Sequence, residues 1–575
     1  MNSLSGIKKQ SFLKGTAVLV AANFTVKIIG AVFKIPLAHI LKEEGMALFS
    51  SAYNFYAILF VIATAGLPVA VSKMVSEATA KNNDAEARRI FHTALSLLTA
   101  IGLFGACLLF FCAGFLARAV GSEQSELGIM AIAPAIFFVS VLSAFRGYFQ
   151  GRSNMTPTAL SEVAEAVGKL AIGLLLAAYL LPTGLINSSA GAVLGVTAGS
   201  MLGCLCIVVI YQLDKRRMTG APLSSARSVR PVREIFLRLA VIAVPITLGA
   251  AVSSLTNLID LFMIRQRLGT LEVSPQLYAS LLGYFGLSGA DVSIGASMSD
   301  KAAEVLYGAY SGFAIPMFNL PLTIVTAVSM CLVPAISGGF ALKNMNRVRH
   351  LTEVSIRLTM MFALPCAAGL SLMSSPILAV VYNNARAQSM LSILGWAVIF
   401  VCLVSVTTAI LQASGHVMLP VLHMAFGAVI KIITNYFLLA VPQINIGGAP
   451  ISTVLCYLVI AVCNISAILR IVRPPLQLQN IVIKPVLATV LMGFGAYFSY
   501  QALAARLGAP ELKLGINFLP QDAPITPLTS DIWLKCAVSL CCAIAVGAAV
   551  YVAVLALSKA FSKEDIEIIT RREER

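Results

Sequence analysis

The sequence predicts an all-α polytopic membrane protein, with about fourteen transmembrane helices in two six-helix lobes followed by two appended helices. Hydrophobic residues make up 58% of the 575 residues and charged residues only 11%, with a mean hydropathy of +0.89. A water-soluble domain is about half apolar and about a quarter charged, so this composition excludes an ordinary soluble enzyme. A helix needs about twenty residues to cross a bilayer, and the apolar runs are at least that long, unlike the short alternating strands of a barrel.

These runs define the predicted spans, with limits that are approximate at both ends. They cover residues 15–41, 47–76, 90–117, 126–149, 157–181, 188–213, 236–264, 303–338, 352–381, 388–412, 417–441, 448–471, 481–505 and 533–558.

The net charge of +16 follows from 41 basic and 25 acidic residues. On these spans the basic residues divide roughly 26 to 8 between the two sides, so the positive-inside rule places both termini in the cytoplasm. Arg146 is assigned to the cytoplasmic side in this count, together with the basic linker at 214–235. The charge excess therefore predicts contact with anionic membrane lipids and excludes a nucleic-acid footprint.

Cysteine and histidine form no metal-binding or catalytic pattern. The twelve cysteines lie inside apolar runs, where a free cysteine behaves as a small hydrophobe, and the five histidines are scattered. The chain also lacks a phosphate-binding loop that would indicate use of ATP. We therefore expect no catalytic residue, no bound metal and no cofactor.

An internal repeat relates spans 4–5 to spans 10–11 at an offset of 262. Gln150 aligns with Gln412 and Lys169 with Lys431, so that 19 residues separate the glutamine from the lysine in both copies. An offset of six spans keeps the same orientation in the membrane, which predicts a parallel repeat with its pseudo-two-fold axis along the membrane normal.

The repeat and the basic linker together predict the domain organisation. An N-terminal lobe covers residues 1–213, the cytoplasmic linker 214–235, a C-terminal lobe 236–472, and the appended spans and charged tail 473–575. Transporters built from such repeats bind their substrate near the membrane midplane, between the repeats.

Two lysines lie at membrane depth in the first predicted span. A charged side chain at a span centre costs roughly 2.5–3.5 kcal/mol, so it requires a partner or a function. Lys27 and Lys34 are seven residues apart and share one helix face. Each could pair with a carboxylate on a neighbouring helix. The alternative is a cationic stripe that binds a phosphate group, and few intramembrane carboxylates are available for pairing.

Further polar candidates occupy later spans. Glu165 and Lys169 in span 5 have the spacing and order of an intrahelical ion pair, so Lys169 could be paired or could line a cavity. Lys431 has no carboxylate on its own helix, and its nearest polar neighbour is Asn435. Lys431 is therefore the better cavity candidate of the two lysines.

Spans 7 and 8 add three polar candidates. Asn257 and Asp260 lie in span 7, where Asp260 could be a counter-ion for Lys34 or a site for a coupling ion or proton. Asn319 lies in span 8 among three prolines, which predict interrupted helical hydrogen bonding and a bending helix.

Five segments in this order resemble the polysaccharide-exporter branch of the multidrug/oligosaccharidyl-lipid/polysaccharide (MOP) exporter superfamily. The resemblance covers about residues 10–505 and includes the group of stage V sporulation protein B and the lipid II flippases of Gram-positive bacteria. The segments are VKIIGAVFKIPLAHIL, FRGYFQGRSNMTPTALSEV, LTNLIDLF, LYGAYSGFAIPMFNLPLTIVTAVSMCLVPAIS and AILQASGHVMLPVLHMAFGAVIKI.

This resemblance implies fourteen spans, with the last two appended, in a bacterial cytoplasmic membrane. It also implies transport of an undecaprenyl-pyrophosphate-linked sugar, with Lys27 and Lys34 where the family places the cations of span 1. The leading hypothesis is thus a flippase for a cell-wall precursor that works by alternating access. We expect a monomer whose substrate is a lipid-linked oligosaccharide and whose partners include cell-wall synthesis enzymes.

Two other functions were weighed against a flippase. A cation-coupled multidrug exporter of the same superfamily needs a more acidic cavity, and two lysines in span 1 oppose it. A membrane glycosyltransferase or polymerase needs clustered catalytic groups on an outer loop. The loop predicted at 265–302 has only separated carboxylates.

Overall fold

The computed structural model describes residues 12–81, 83–218, 230–269, 298–341, 343–441, 444–475, 477–510, 512 and 529–558. Within these ranges the chain forms α-helices with short 3₁₀ and π segments and contains no strand. The predicted all-α fold class is confirmed. Of the loop predicted at 265–302, residues 270–297 lie outside the described ranges.

The described residues up to Gly269 form eight α-helices. These are α1 (Phe12–Thr64), α2 (Gly66–Ala80), α3 (Asp84–Phe111), α4 (Ala113–Ala119), α5 (Glu126–Gly151), α6 (Thr156–Leu180), α7 (Leu185–Met218) and α8 (Val232–Gly269).

The described residues from Met298 onward form nine more α-helices. These are α9 (Met298–Ala309), α10 (Ile315–Ala341), α11 (Met345–Leu372), α12 (Ser374–Tyr382), α13 (Gln388–Ala413), α14 (Met418–Leu438), α15 (Gly448–Ile471), α16 (Lys484–Leu507) and α17 (Ser530–Leu557).

Helix α1 is interrupted at Lys42, whose backbone adopts φ 53° and ψ −162°. The rings of Phe33 and Phe49, on either side of this residue, have centroids 6.0 Å apart. In an unbroken helix, sixteen residues would separate them by about 24 Å. The chain therefore folds back on itself at Lys42, between the predicted spans 1 and 2.

Twelve described helical segments are long and apolar enough to cross a membrane. The first of them, Ala21–Thr79, contains the reversal at Lys42. Predicted span 7 falls within α8, which is outside those twelve. A multi-pass helical membrane protein is thus confirmed, whereas the count of fourteen spans stays a prediction.

Three predicted segments have different limits in the structure. Span 3 divides at Cys112 into α3 and α4, and span 9 divides at Met373 into α11 and α12, because the backbone leaves helical ψ values at both residues. The predicted linker 214–235 is helical at both ends, since α7 continues to Met218 and α8 begins at Val232. Lysine and arginine favour helix, which explains why the basic residues after Asp214 extend α7.

The chain divides into two compact units, Met1–Phe262 and Met263–Arg575, with the division inside α8. The part of α8 up to Phe262 belongs to the N-terminal unit, where Ile235, Leu239 and Ala243 join the hydrophobic core with residues of α2, α3 and α5. The lobe limits predicted from the linker stay a prediction.

In the C-terminal unit, α13 buries side chains on every face, as a central helix does. The two last helices pack beside α11 and α12. Tyr551 of α17 donates a hydrogen bond to the carbonyl oxygen of Met361 at 2.6 Å, and the Trp533 indole donates to that of Val380 at 3.0 Å.

Helix limits in the two units follow the offset seen in the sequence. α5 and α13 begin at Glu126 and Gln388 and end at Gly151 and Ala413, and each pair of numbers differs by 262. α6 and α14 also begin 262 residues apart, at 156 and 418. These limits support the internal repeat, which itself stays a prediction.

Candidate functional site

The site in the N-terminal unit is built on close packing between α6 and α7. A Cβ atom at Gly195 would lie 2.2 Å from the Cα of Gly173, and one at Gly199 would lie 2.5 Å from the carbonyl oxygen of Glu165. These positions admit no side chain, so the two backbones approach as closely as glycine packing allows. The packing fixes the part of α6 that carries Glu165 and Lys169.

An arginine of α5 engages Glu165. The Nη2 atom of Arg146 donates to Oε2 of Glu165 at 2.9 Å, and its Nε donates to Oγ of Ser161 at 3.0 Å. Ser200 of α7 donates to the other carboxylate oxygen, Oε1, at 3.2 Å. Both oxygens of Glu165 are therefore satisfied, and Arg146 neutralises its charge.

Lys169 contacts aromatic rings. Its Nζ atom lies 5.1 Å from the ring centroid of Phe33 and 4.9 Å from that of Tyr53, both of which belong to α1. Ring faces attract a cation at these distances. Among the described residues Lys169 forms no ion pair, because Glu165 is bound by Arg146. Of the two roles left open by the sequence, an ion pair with Glu165 is wrong.

Lys34 lies beside Phe33 on α1, is half-buried, and is near enough to Lys169 for the two charges to repel each other. It forms no ion pair with any described residue, and this includes Asp260. Lys27 lies two turns earlier on the same helix and is exposed. The structure thus brings together two of the predicted residues, Lys34 and Lys169, from different helices.

The two span-7 candidates also belong to the N-terminal unit. Asp260 of α8 is only 4% exposed, whereas Asn257, one turn earlier, is exposed. The suggestion that Asp260 is the counter-ion of Lys34 is not met in this structure. Its suggested role in ion or proton coupling stays a prediction.

The remaining candidates belong to the C-terminal unit. Lys431 and Asn435 are buried one turn apart on α14, at 3% and 0% exposure. Asn319 of α10 is half-buried, and its carbonyl oxygen accepts a hydrogen bond from Thr323 at 3.0 Å. The π-helical segment Tyr310–Ala314 lies just before Pro316, in the helix for which the prolines predict irregular hydrogen bonding. Roles for these residues in binding stay predictions.

The sequence interpretation missed Arg146 as a site residue. The sequence counted it only among the basic residues of the cytoplasmic side, whereas the structure buries its side chain inside α5, at 12% exposure. Arg146 and Ser161 lie at similar distances from the turn that joins α5 to α6, so an antiparallel pair of helices brings them side by side. That spacing was the available signal.

A second polar network lies in the C-terminal unit. Asn464 of α15 donates through Nδ2 to the hydroxyls of Thr407 and Thr408 at 3.1 and 3.3 Å. The Thr407 hydroxyl itself donates to the carbonyl oxygen of Leu403, so its oxygen can only accept from Asn464. The Asn464 Oδ1 atom therefore faces Nδ1 of His423 at 2.7 Å, which makes that ring nitrogen the donor.

The apolar helices define a multi-pass membrane protein, and the sequence comparisons identify its class as a transporter. A model described as polysaccharide biosynthesis protein matches residues 12–340, and the MatE model matches residues 308–437. The chain belongs to the polysaccharide biosynthesis protein family, within the MOP superfamily of transporters.

Two curated relatives come from Bacillus subtilis (strain 168). Stage V sporulation protein B is 24% identical over 473 residues, which cover 82% of this chain and 86% of the relative. Lipid II flippase MurJ is 26% identical over 472 residues, which cover 78% of this chain and 80% of the relative. The relatives are thus a sporulation protein and a flippase rather than enzymes.

Solved structures show the same fold. Lipid II flippase MurJ in an inward closed conformation aligns with a TM-score of 0.64 and 14% identity over 94% of this chain and 98% of its own. An inward-facing multidrug resistance MATE family transporter aligns with a TM-score of 0.59 and 16% identity over 79% and 98%. At these identities the likeness concerns the fold alone.

Proposed function

We propose that this protein is a flippase that moves an undecaprenyl-pyrophosphate-linked cell-wall precursor across the bacterial cytoplasmic membrane. The observation that carries the proposal is the pair formed by Lys34 and Lys169. Both are half-buried in an apolar unit, they lie near each other, and neither forms an ion pair with a described residue. The sequence similarity to lipid II flippase MurJ supports the same substrate class.

Two neighbouring ammonium groups in an apolar setting favour an anionic ligand. Each charge is costly to bury alone, and their mutual repulsion adds to that cost. A pyrophosphate diester carries two negative charges and several acceptor oxygens, so it can offset both lysines at once. Lysine presents a compact charge with rotatable donors, which suits phosphate oxygens that must be bound and later released.

Transport itself breaks no covalent bond in this proposal. The binding unit would face the cytoplasmic leaflet to receive the precursor and would then open to the outer leaflet, as in alternating access. We place both termini in the cytoplasm because the basic residues concentrate in the loops on that side. Lys27, further along the same face of α1, would meet the pyrophosphate on entry.

The test uses bacteria depleted of their own lipid II flippase and supplied with this protein. The K34A/K169A variant is expected to lower the amount of precursor reaching the outer leaflet by at least about tenfold, because both neutralising charges are lost. The control is K535A, which removes a lysine whose pair with Asp531 lies at the surface. Unchanged precursor export in the double variant would overturn the proposal.

A second candidate is a multidrug exporter, favoured by the MatE match and by the fold of the MATE family transporter. A cationic drug requires an accessible carboxylate, yet Arg146 neutralises Glu165 in the N-terminal unit. Drug resistance on overexpression that persists in the K34A/K169A variant would favour this candidate over the flippase.

A further inference from the structure

We propose that Arg146 is a positioning residue that withholds Glu165 from Lys169 and so keeps Lys169 available to an anion. Glu165 then competes with the anion for Lys169, and Arg146 keeps the site positively charged without touching the ligand. The identity of that anion as a pyrophosphate lipid rests on the function proposed above. The competition of Arg146 and Lys169 for Glu165 does not rest on that function.

Glu165 is within reach of two cations, Lys169 and Arg146. It precedes Lys169 by four residues on α6, which is the favourable order for an ion pair along a helix. In the structure it turns instead to Arg146 on α5, at 2.9 Å. Ser161 and Ser200 complete this arrangement, the first by accepting from Arg146 and the second by donating to Glu165.

The geometry of Arg146 explains why it wins this competition. A guanidinium can donate in two directions from a rigid plane, and here one donor meets the carboxylate while the other meets a hydroxyl. Lys169 has a different source of stabilisation in the rings of Phe33 and Tyr53. Each cation therefore has its own partner. Lys169, whose ammonium group contacts aromatic rings, can still bind an anion while it keeps those ring contacts.

Removal of Arg146 would invert this arrangement. Arg146, Lys169 and Lys34 together with Glu165 carry a formal charge of +2, from three cations and one carboxylate. Without the guanidinium, the nearest cation to Glu165 along its own helix is Lys169. The carboxylate would then occupy the position that an anionic ligand needs, and the two would repel each other.

The first arm of the test measures the amine of Lys169 directly, with no substrate present. The full-length protein in detergent is treated with acetic anhydride, and acetylation at Lys169 is quantified by mass spectrometry. A carboxylate partner holds an amine in its charged, unreactive form. Acetylation is expected to fall about fivefold in R146Q and to recover in R146Q/E165Q, in which residue 165 no longer carries a carboxylate.

The second arm measures binding of undecaprenyl pyrophosphate to the same proteins. We expect R146Q to bind about tenfold more weakly than the unmodified protein and R146Q/E165Q to regain most of the loss. E165Q alone should bind at least as tightly as the unmodified protein. The matched control is R152Q, which removes an arginine of the same α5 region whose partner is Asp84.

The outcomes separate the two proposals. Equal acetylation of Lys169 in R146Q and the unmodified protein would overturn the positioning role, as would weaker binding by E165Q. If R146Q does not fold, E165Q and the double variant still decide the matter, because in neither is a Glu165 carboxylate left without Arg146. The expected acetylation pattern without any pyrophosphate binding would retain the positioning role and overturn the flippase proposal.

Discussion

The helices α5, α6 and α7 of the N-terminal unit and α13, α14 and α15 of the C-terminal unit share a layout but differ in chemistry. At the offset of 262, Arg146 corresponds to Thr408 and Glu165 to Gly427. The first group of helices is held by a charged pair, whereas the second is held by an imidazole, an amide and two hydroxyls.

The two groups of helices differ in what their polar networks do. In the C-terminal network Asn464 is fully buried, and its side-chain hydrogen bonds to Thr407, Thr408 and His423 all connect helices of the same unit. Such a network specifies which helices pack together. In the N-terminal unit Glu165, at the position that corresponds to Gly427, is a carboxylate that could pair with a lysine on its own helix. Its network therefore controls charge as well as packing.

The largest effect is expected from G199A in the N-terminal unit. The new Cβ would lie 2.5 Å from the carbonyl oxygen of Glu165, which the backbone must relieve by moving. We expect a loss of about 3 kcal/mol of stability and a lower melting temperature, because overpacking of a close interface is costly. G369A is the matched control, since a Cβ there has no atom within 4 Å. Equal melting temperatures would contradict the close packing of α6 on α7.

An intermediate effect is expected from N464A in the C-terminal unit. It leaves the partly buried donor of His423 without its acceptor and removes two hydrogen bonds to threonine hydroxyls. The expected loss is about 2 kcal/mol in the free energy of unfolding, measured by denaturant titration in detergent. N187A is the control, because the bonds of Asn187 to Thr183 lie at the surface. If both variants lost the same stability, the C-terminal network would have no special packing role.

The smallest effect is expected at Tyr53, and it concerns ligand affinity rather than stability. Y53L removes one of the two rings over Lys169, so the affinity for undecaprenyl pyrophosphate should fall by about fivefold. Y53F keeps the ring and should bind as the unmodified protein does. Titration of both variants gives the comparison, and a loss in Y53F equal to that in Y53L would assign the effect to the hydroxyl.

Much of the fold follows from the sequence because helix length and hydropathy are local properties. The reversal at Lys42 and the breaks at Cys112 and Met373 do not follow in the same way. None of these three residues is a glycine or a proline, so none carries a turn signal. Their backbone conformations are set by packing between helices, which the local sequence does not record.

The sequence predicted which residues belong to the site better than it predicted the contacts between them. Lys34 and Lys169 were both recognised because charge at membrane depth is rare. The partner of Glu165 stayed open at the level of the sequence, because spacing along one helix is visible in a sequence, whereas the approach of Arg146 from α5 is not. For the same reason Phe33 and Tyr53 passed as ordinary apolar positions, although their rings hold the ammonium of Lys169.

The glycine contacts between α6 and α7 also have a mechanical consequence. With backbone atoms of Gly173 and Gly195 in direct opposition, neither helix can slide along or tilt against the other without collision. The two helices must therefore move together as a rigid body that includes Lys169. Bending in this unit is therefore expected where helices lack such glycine contacts. The interruption at Lys42, eight residues beyond Lys34, is the nearest such place to the cations along the chain.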